Sequence, residues 1–275
     1  MQIELFPSNR KDLSQLIETY YCVRSPEPID ASTVPNGRPD GSILLEGQLE
    51  WYFPDKGTFE LLPPCTLYPA TTNGGRARTD GPTVCLAIKF FPKLFTLNGL
   101  NTAMIKGPIG FQDIFSSQER VDKLLRDLKA QTSHDAHAVI LDDYFIECLL
   151  TADTDAWLTE VFRLVEKDDT APLKIESIAD HLGINIKTLE RKFKKATGLS
   201  PKEFISFTQL QKTLHEIIKE PAVHGKFTAS LGAGYHDQSH FIKTCQRITG
   251  HTPKKLMSQL VSKKSDLLIH PKTKS

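Results

Sequence analysis

Long apolar runs are missing from this chain of 275 residues. No stretch approaches the roughly 18 residues that a membrane-spanning helix needs, and the opening MQIELFPSNRKD has no apolar signal core. No membrane association is expected, and the location expected is the cytoplasm, with the nucleoid as its site of action. Cysteine is scarce and unorganised: Cys22, Cys65, Cys85, Cys148 and Cys245 are odd in number and never form a CxxC pair. They fit a reducing compartment and speak against a disulfide framework. GxSxG, paired-carboxylate and Cys/His arrangements for catalysis are lacking. Asn73-Gly74-Gly75-Arg76 lacks the Walker pattern and a following helix, so it reads as a hairpin turn. His134-x-x-His137 and His236-x-x-x-His240 have spacings compatible with metal binding, but no further Cys or acidic residue completes either set. No cofactor, metal site or catalytic residue is expected.

Charge of one sign is also nearly absent on average, the formal balance being +1. That average hides an asymmetry. Residues 171–275 hold 18 Lys+Arg against 8 Asp+Glu, a balance of +10, whereas residues 1–170 hold 16 against 25, a balance of −9. A basic C-terminal third on an acidic remainder implies two domains with different partners.

What is present changes period along the chain. Residues 11–25 read as a short helix or a strand lead-in, and the crowd of Pro and Gly between Pro26 and Gly41 prevents long regular structure. From Leu45 to Phe53 apolar and polar residues alternate, predicting one half-buried strand. Pro54 to Gly57 reads as a turn and Thr58 to Leu62 as the returning strand. Thr83 to Phe91 alternates again, with Val84, Leu86, Ile88 and Phe90 on one face. Residues 29–92 therefore read as a small sandwich or barrel. After residue 116 the period becomes helical, in three segments around Leu124, Phe145 and Val161, expected to pack on the β unit or on a second subunit. The polar run from Lys167 to Pro172 marks a boundary. The fold class expected is multidomain: a β-rich N-terminal domain with flanking helices over residues 1–169, an all-α double helix-turn-helix domain over 170–262, and a loose basic tail over 263–275.

Within the basic third, Ile178 to Gly198 contains two short amphipathic patterns joined at Gly183. Asn185 is placed to cap the second helix, with Leu189 and Phe193 inward and Lys187, Glu190, Arg191 and Lys194 outward. Pro201 then opens a long helix. The arrangement recurs 52 residues on: aligning Leu189 with Phe241 puts Phe193 on Cys245, Thr197-Gly198 on Thr249-Gly250 and Pro201 on Pro253. Two such units on one connecting helix suit two successive major grooves. In the second copy, Gly232 inside the first helix and Cys245 in place of the aromatic Phe193 predict a looser unit, since Gly within a helix costs about 1 kcal/mol.

The segments IADHLGINIKTLERKFKKATGLSPKEF and GYHDQSHFIKTCQRITGHTP make residues 174–258 resemble the DNA-binding domain of AraC/XylS-type bacterial transcription regulators. VPNGRPDGSILLEG and the strand end KFFP resemble the N-terminal sensing domain of a subset of such regulators. The resemblance implies base-reading positions at Lys187, Thr188, Glu190 and Arg191 in the first unit and at Gln238, Ser239, His240 and Lys243 in the second. Arg191 is the best candidate for a bidentate guanine contact, although Glu190 could equally be its intrahelical partner. Lys194, Lys195 and Arg247 are placed to meet phosphate. The partners implied are double-stranded DNA, a small-molecule effector on the N-terminal domain, RNA polymerase and a second copy in a homodimer. The alternative is a DNA-directed enzyme with a catalytic N-terminal β domain and the helical domain as its address. That chemistry requires an activated cysteine.

Overall fold

In the computed structural model, which describes residues 1–70, 75–97, 107–150, 154–167, 174–219, 235, 237–259 and 269–271, alternation decides the N-terminal half. Ten strands precede the helices: β1 (Gln2–Phe6), β2 (Ile17–Ser25), β3 (Asp30–Thr33), β4 (Asp40–Glu46), β5 (Leu49–Phe53), β6 (Thr58–Leu61), β7 (Cys65–Tyr68), β8 (Arg76–Thr79), β9 (Thr83–Phe90) and β10 (Ile109–Gly110). With β11 (Ile269–Pro271) they form two antiparallel sheets, ordered β1-β2-β9-β4-β7-β10 and β11-β3-β8-β5-β6.

The first sheet shows why a period of two is legible. Tyr20, Cys22, Ile43, Leu67, Leu86 and Ile88 share one face and are fully buried. That face is covered by α1 (Gln118–Lys129) and α2 (His134–Leu149), the latter capped by Ser133, which accepts from the Ala136 N–H at 3.2 Å. The opposite face carries Tyr21, Val23, Leu44, Cys85 and Ala87, which look toward Ala31, Leu49, Trp51 and Ala77 of the second sheet across a cavity.

Leu45 to Phe53 is two strands, not the one expected. The alternation is interrupted at Gly47, whose φ of +88° only Gly adopts without strain and whose missing Cβ would lie 2.6 Å from the Pro82 carbonyl oxygen. The chain turns that corner from the first sheet into the second. Leu45 therefore packs with the helix-covered core, while Leu49, Trp51 and Phe53 face the cavity. The hairpin β5–β6 and strand β9 fall where the sequence places them.

The three helical segments after residue 116 divide between two cores. The third, α3 (Ala156–Lys167), leaves the sandwich and packs Leu158, Val161, Phe162 and Val165 against α4 (Ile175–His181), α5 (Ile186–Thr197) and α6 (Pro201–Lys219). Its Phe162 ring lies 5.8 Å from Phe193 and 5.2 Å from Phe204. Val34 and Phe95 of the β region join the same core, which extends to α7 (Gln238–Thr249) and α8 (Pro253–Gln259). The tail is not loose throughout. Ile269 pairs with Thr33 and Pro271 with Ala31, because the outer edge of β3 offers unpaired backbone groups to any extended segment that reaches it.

Candidate nucleic-acid interface

In the first unit the turn is set by backbone chemistry. Gly183 takes a φ of +63°, and the Ile184 N–H donates to the Ala179 carbonyl at 3.0 Å. Asn185 then caps α5, its Oδ1 accepting from the Thr188 N–H at 2.8 Å, so that one of the orphan donors of the helix start is satisfied. Leu189 and Phe193 are fully buried and anchor the helix from beneath. Lys187, Glu190, Arg191, Lys194 and Lys195 stand on the opposite, exposed side, and Thr188 is half-buried. Among the described residues Arg191 forms no ion pair, Glu190 included. On the rear of the helix the Lys192 ammonium sits 5.3 Å from the centre of the Trp157 ring, a cation–π contact that ties α5 to α3. Glu160 on α3 accepts from Arg163 and from His181 at the end of α4, at 2.8 Å for the latter. These two donors hold its carboxyl down at about 2.

The Thr-Gly signature shared by the two copies has a mechanical meaning. The Thr197 hydroxyl donates to the Phe193 carbonyl at 3.0 Å and accepts from the Leu199 N–H at 3.1 Å, and Gly198 follows at a φ of +79°. In the second copy the Thr249 hydroxyl donates to the Cys245 carbonyl at 2.8 Å and accepts from the His251 N–H at 3.1 Å, with Gly250 at +74°. Helices α5 and α7 are therefore ended by the same hook and the same left-handed glycine. Asp237 repeats the role of Asn185, accepting from the His240 N–H at 2.7 Å. Gln238, Ser239, His240, Lys243 and Arg247 are all exposed along α7.

The first helix of the second unit, with Ser230, Gly232 and His236, lies outside the described residues. The expectation attached to Cys245 is sharpened by its surroundings. Cys245 is fully buried where Phe193 sits in the first copy, but Phe241 replaces Leu189 and Tyr235 replaces Ile184. The Tyr235 and Phe241 rings meet edge to face at 5.2 Å. The core aromatic is relocated rather than lost.

Sequence reasoning passed over three features here. Ser200 and Glu203 form a reciprocal capping box at the start of α6: Glu203 accepts from the Ser200 N–H at 2.8 Å and Ser200 from the Glu203 N–H at 3.2 Å. The S-x-x-E spacing was the signal for it. Ile186, at the first position of α5, is exposed at 37 % although apolar. The third feature is the cavity of about 490 Å³ between the sheets. It arises because several inward positions carry only Ala, Ser or Gly, which leave the space between the sheets unfilled. Asn36, Arg38, Asp40 and Lys89 make one part of its wall polar, and Gly198, Leu199 and Gln211 of the reading domain also line it.

The thiols bear on the enzymatic alternative. All five are shifted upward by burial, Cys65 and Cys85 to about 12 and Cys245 to about 11, and Cys22 and Cys148 in the same direction. An activated nucleophile needs the opposite shift. His134 stacks on Phe6, while His137 is buried beneath the end of α1 with its Nε2 3.1 Å from the Leu128 carbonyl, so the two do not converge. Among the described residues no group of three His, Cys, Asp or Glu could hold a metal ion, and no helix is long and apolar enough to cross a membrane.

Among the described residues, a complete helix-turn-helix (α4 and α5) and a second capped helix of the same design (α7) are separated along the chain by the long helix α6, the arrangement a double helix-turn-helix module requires. Residues 178–259 match the family described as "Helix-turn-helix domain". The HTH-type transcriptional activator RhaS of Escherichia fergusonii is 27 % identical over 106 residues, 38 % of this chain and 37 % of RhaS. RhaS of Citrobacter koseri is 26 % identical over 103 residues, 38 % and 36 % of the two chains. The chain thus spans little more than a third of the length of these curated relatives. In three dimensions it resembles ToxT of Vibrio cholerae over 95 % of this chain and all of ToxT, with a TM-score of 0.50 at 10 % identity. A second ToxT structure, of an apo variant, gives a TM-score of 0.51 at 11 % identity over 91 % of this chain and 98 % of that one. That likeness is one of fold: a β-rich N-terminal part followed by a helical reading domain. Residues 178–259 are thus an AraC-type helix-turn-helix domain.

Proposed function

We propose that the protein is a sequence-specific transcription regulator that lays α5 and α7 in two adjacent major grooves and responds to a small molecule held in its β domain. The observation that carries the DNA reading is the repetition of one geometry: two capped 12-residue helices with basic exposed faces. The connecting helix α6 has 19 residues, which at about 1.5 Å each spans roughly 28 Å, close to the roughly 34 Å between successive grooves on one side of the duplex. Lys187, Thr188, Glu190 and Arg191, then Gln238, Ser239, His240 and Lys243, face the bases. Lys194, Lys195 and Arg247 meet phosphates. In-vitro selection of duplexes bound by the full chain tests this reading. The expected result is a bipartite site whose conserved blocks lie about one helical turn, roughly 10 base pairs, apart. A single conserved block would leave α7 out of base reading.

Ile186 adds a base contact of another kind. An exposed apolar side chain at the first turn of a reading helix suits the thymine 5-methyl group, which alone among major-groove features is apolar. Replacing thymine by uracil one position at a time in the selected site removes only that methyl. One such replacement within the α5 block is expected to weaken binding several-fold in the wild type and to have no effect in Ile186→Ala.

Effector control rests on the cavity, whose wall is shared between the sandwich and the reading domain. Its volume falls in the range of about 300–1,000 Å³ common to small-molecule sites. The enzymatic alternative requires an activated thiol, and the raised thiols described above do not favour it.

A further inference from the structure

The cavity's chemistry restricts what it can take. Its walls are largely apolar and aromatic, with the Trp51 and Tyr68 rings 5.0 Å apart and Val23 and Leu44 beside them. One part is charged, and the charges there are unevenly satisfied. Glu18 on β2 makes the ion pairs with both local cations, Arg38 in close contact and the Lys89 ammonium of β9 at 3.7 Å. Lys89, opposite Asp40 across β4 and β9, and Arg38 act on Asp40 only through charge, without an ion pair. Asp40, at the start of β4, accepts one hydrogen bond, from Asn36 Nδ2 at 2.8 Å. Asp40 is half-buried and is one of the residues that line the cavity. The neighbouring strand β7 contributes Tyr68, whose hydroxyl is engaged with Ser42 at 2.9 Å.

The same stretch of chain reaches the reading domain. Val34 is part of the helical core, and the Pro35 carbonyl is 3.4 Å from Gln211 Nε2 on α6. At Gly37 the φ is +73°, and the place of its missing Cβ is 3.1 Å from the Phe207 Cβ. Residues 34–40 thus run from the underside of the connecting helix into the cavity without a break.

We infer that the cavity binds an amphipathic molecule with an apolar, ring-bearing body and a hydrogen-bond-donating end, hydroxyl or ammonium, seated on the Asp40 carboxylate. The proposal rests on the effector reading above and adds the ligand's class. An anionic ligand is disfavoured because Glu18 already engages both cations, and an incoming carboxylate would face Asp40. A donor completes the coordination of Asp40 instead, as a charge-assisted hydrogen bond. Burial pushes the Asp40 carboxyl up to about 6, against the opposing pull of Lys89, Asn36 and Arg38. Donor binding favours the ionised form, so affinity should rise as pH increases through that value and fall below it. For an anionic ligand the slope has the opposite sign.

The test uses the full chain and a matched series: phenylpropanol, phenylpropylamine and phenylpropionate, titrated calorimetrically at several pH values. At neutral pH the alcohol and the amine are expected to bind about tenfold tighter than the carboxylate, the worth of one hydrogen bond to a charged group. Their affinity should drop on acidification. Asp40→Asn, which preserves shape, should abolish both the preference and the pH dependence, while Ala77→Leu, which projects into the cavity, should weaken all three compounds. The proposal is overturned if phenylpropionate binds tightest, if the pH slope is reversed, or if none of the three binds. The pH arm uses the unmodified protein and so does not depend on any variant folding. Failure of the effector reading is a separate result: binding with the expected preference but with no change in affinity for the selected DNA site.

Discussion

Phe193→Ala is expected to destabilise the reading domain by about 3–5 kcal/mol, the usual cost of truncating a buried phenyl ring. The ring is fully buried and lies 5.8 Å from Phe162 of α3 and 5.5 Å from Phe204 of α6. Its removal opens a cavity where three helices meet, and the relaxation needed to close it would shift α5 off its seat. Chemical denaturation of the full chain, followed by tryptophan fluorescence, should show the loss, because Trp157 belongs to α3 and packs against the same core. The corresponding position in the second unit should respond differently. Cys245→Phe would restore the residue type of the first copy but not its surroundings: Tyr235 and Phe241 already supply the rings, and the Cys245 thiol is fully buried, 3.5 Å from the His251 carbonyl. Overpacking of that kind costs about 1–3 kcal/mol. Stabilisation by Cys245→Phe would show instead that the second core is underfilled.

That contrast also marks how far the sequence could be read. The reading helices were legible because their determinants are local: a capping Asn or Asp, an apolar pair four residues apart, a Thr-Gly end and a following Pro. Each of these acts within one turn of chain, so a single sequence contains the whole signal. The strand pattern of β9 was legible for the same reason. Leu45 to Phe53 was not, because a period of two continues through a corner whenever a glycine occupies the turn, and only the approach of the Pro82 carbonyl to Gly47 distinguishes the two strands. The packing of α3 was equally hidden. An amphipathic helix announces that it has a buried face but not which core will cover it. The relocation of the aromatic from position 193 to 235 and 241 requires knowing that three residues far apart in the chain share one volume. The cavity is the extreme case. It is formed by small residues on two sheets, and Ala31, Ser42, Ala77 and Ala87 carry no joint signal until the sheets are stacked.

Arg191→Ala should lower affinity for the selected site by about 1–3 kcal/mol, roughly five- to 150-fold, while leaving non-specific binding almost unchanged. The guanidinium is exposed on the face of α5 opposite Leu189 and Phe193 and forms no ion pair among the described residues. It therefore meets DNA without first breaking an internal contact, and the fork geometry matches the two acceptors of guanine. The phosphate-facing cations should behave in the opposite way. Lys194, Lys195 and Arg247 each displace about 0.9 counterion, so together they contribute about −2.7 to the slope of log affinity against log salt, or roughly fortyfold between 50 and 200 mM. Removing one of them should flatten the slope by about one unit and weaken all sequences alike. Competition binding of wild type and variants to the selected site and to a scrambled duplex, over that salt range, separates the two roles. If Arg191→Ala weakened both duplexes equally and flattened the slope, Arg191 would be a phosphate contact. The base-reading assignment of α5 would then fall to Lys187, Thr188 and Glu190, with Ile186 beside them at the start of the helix.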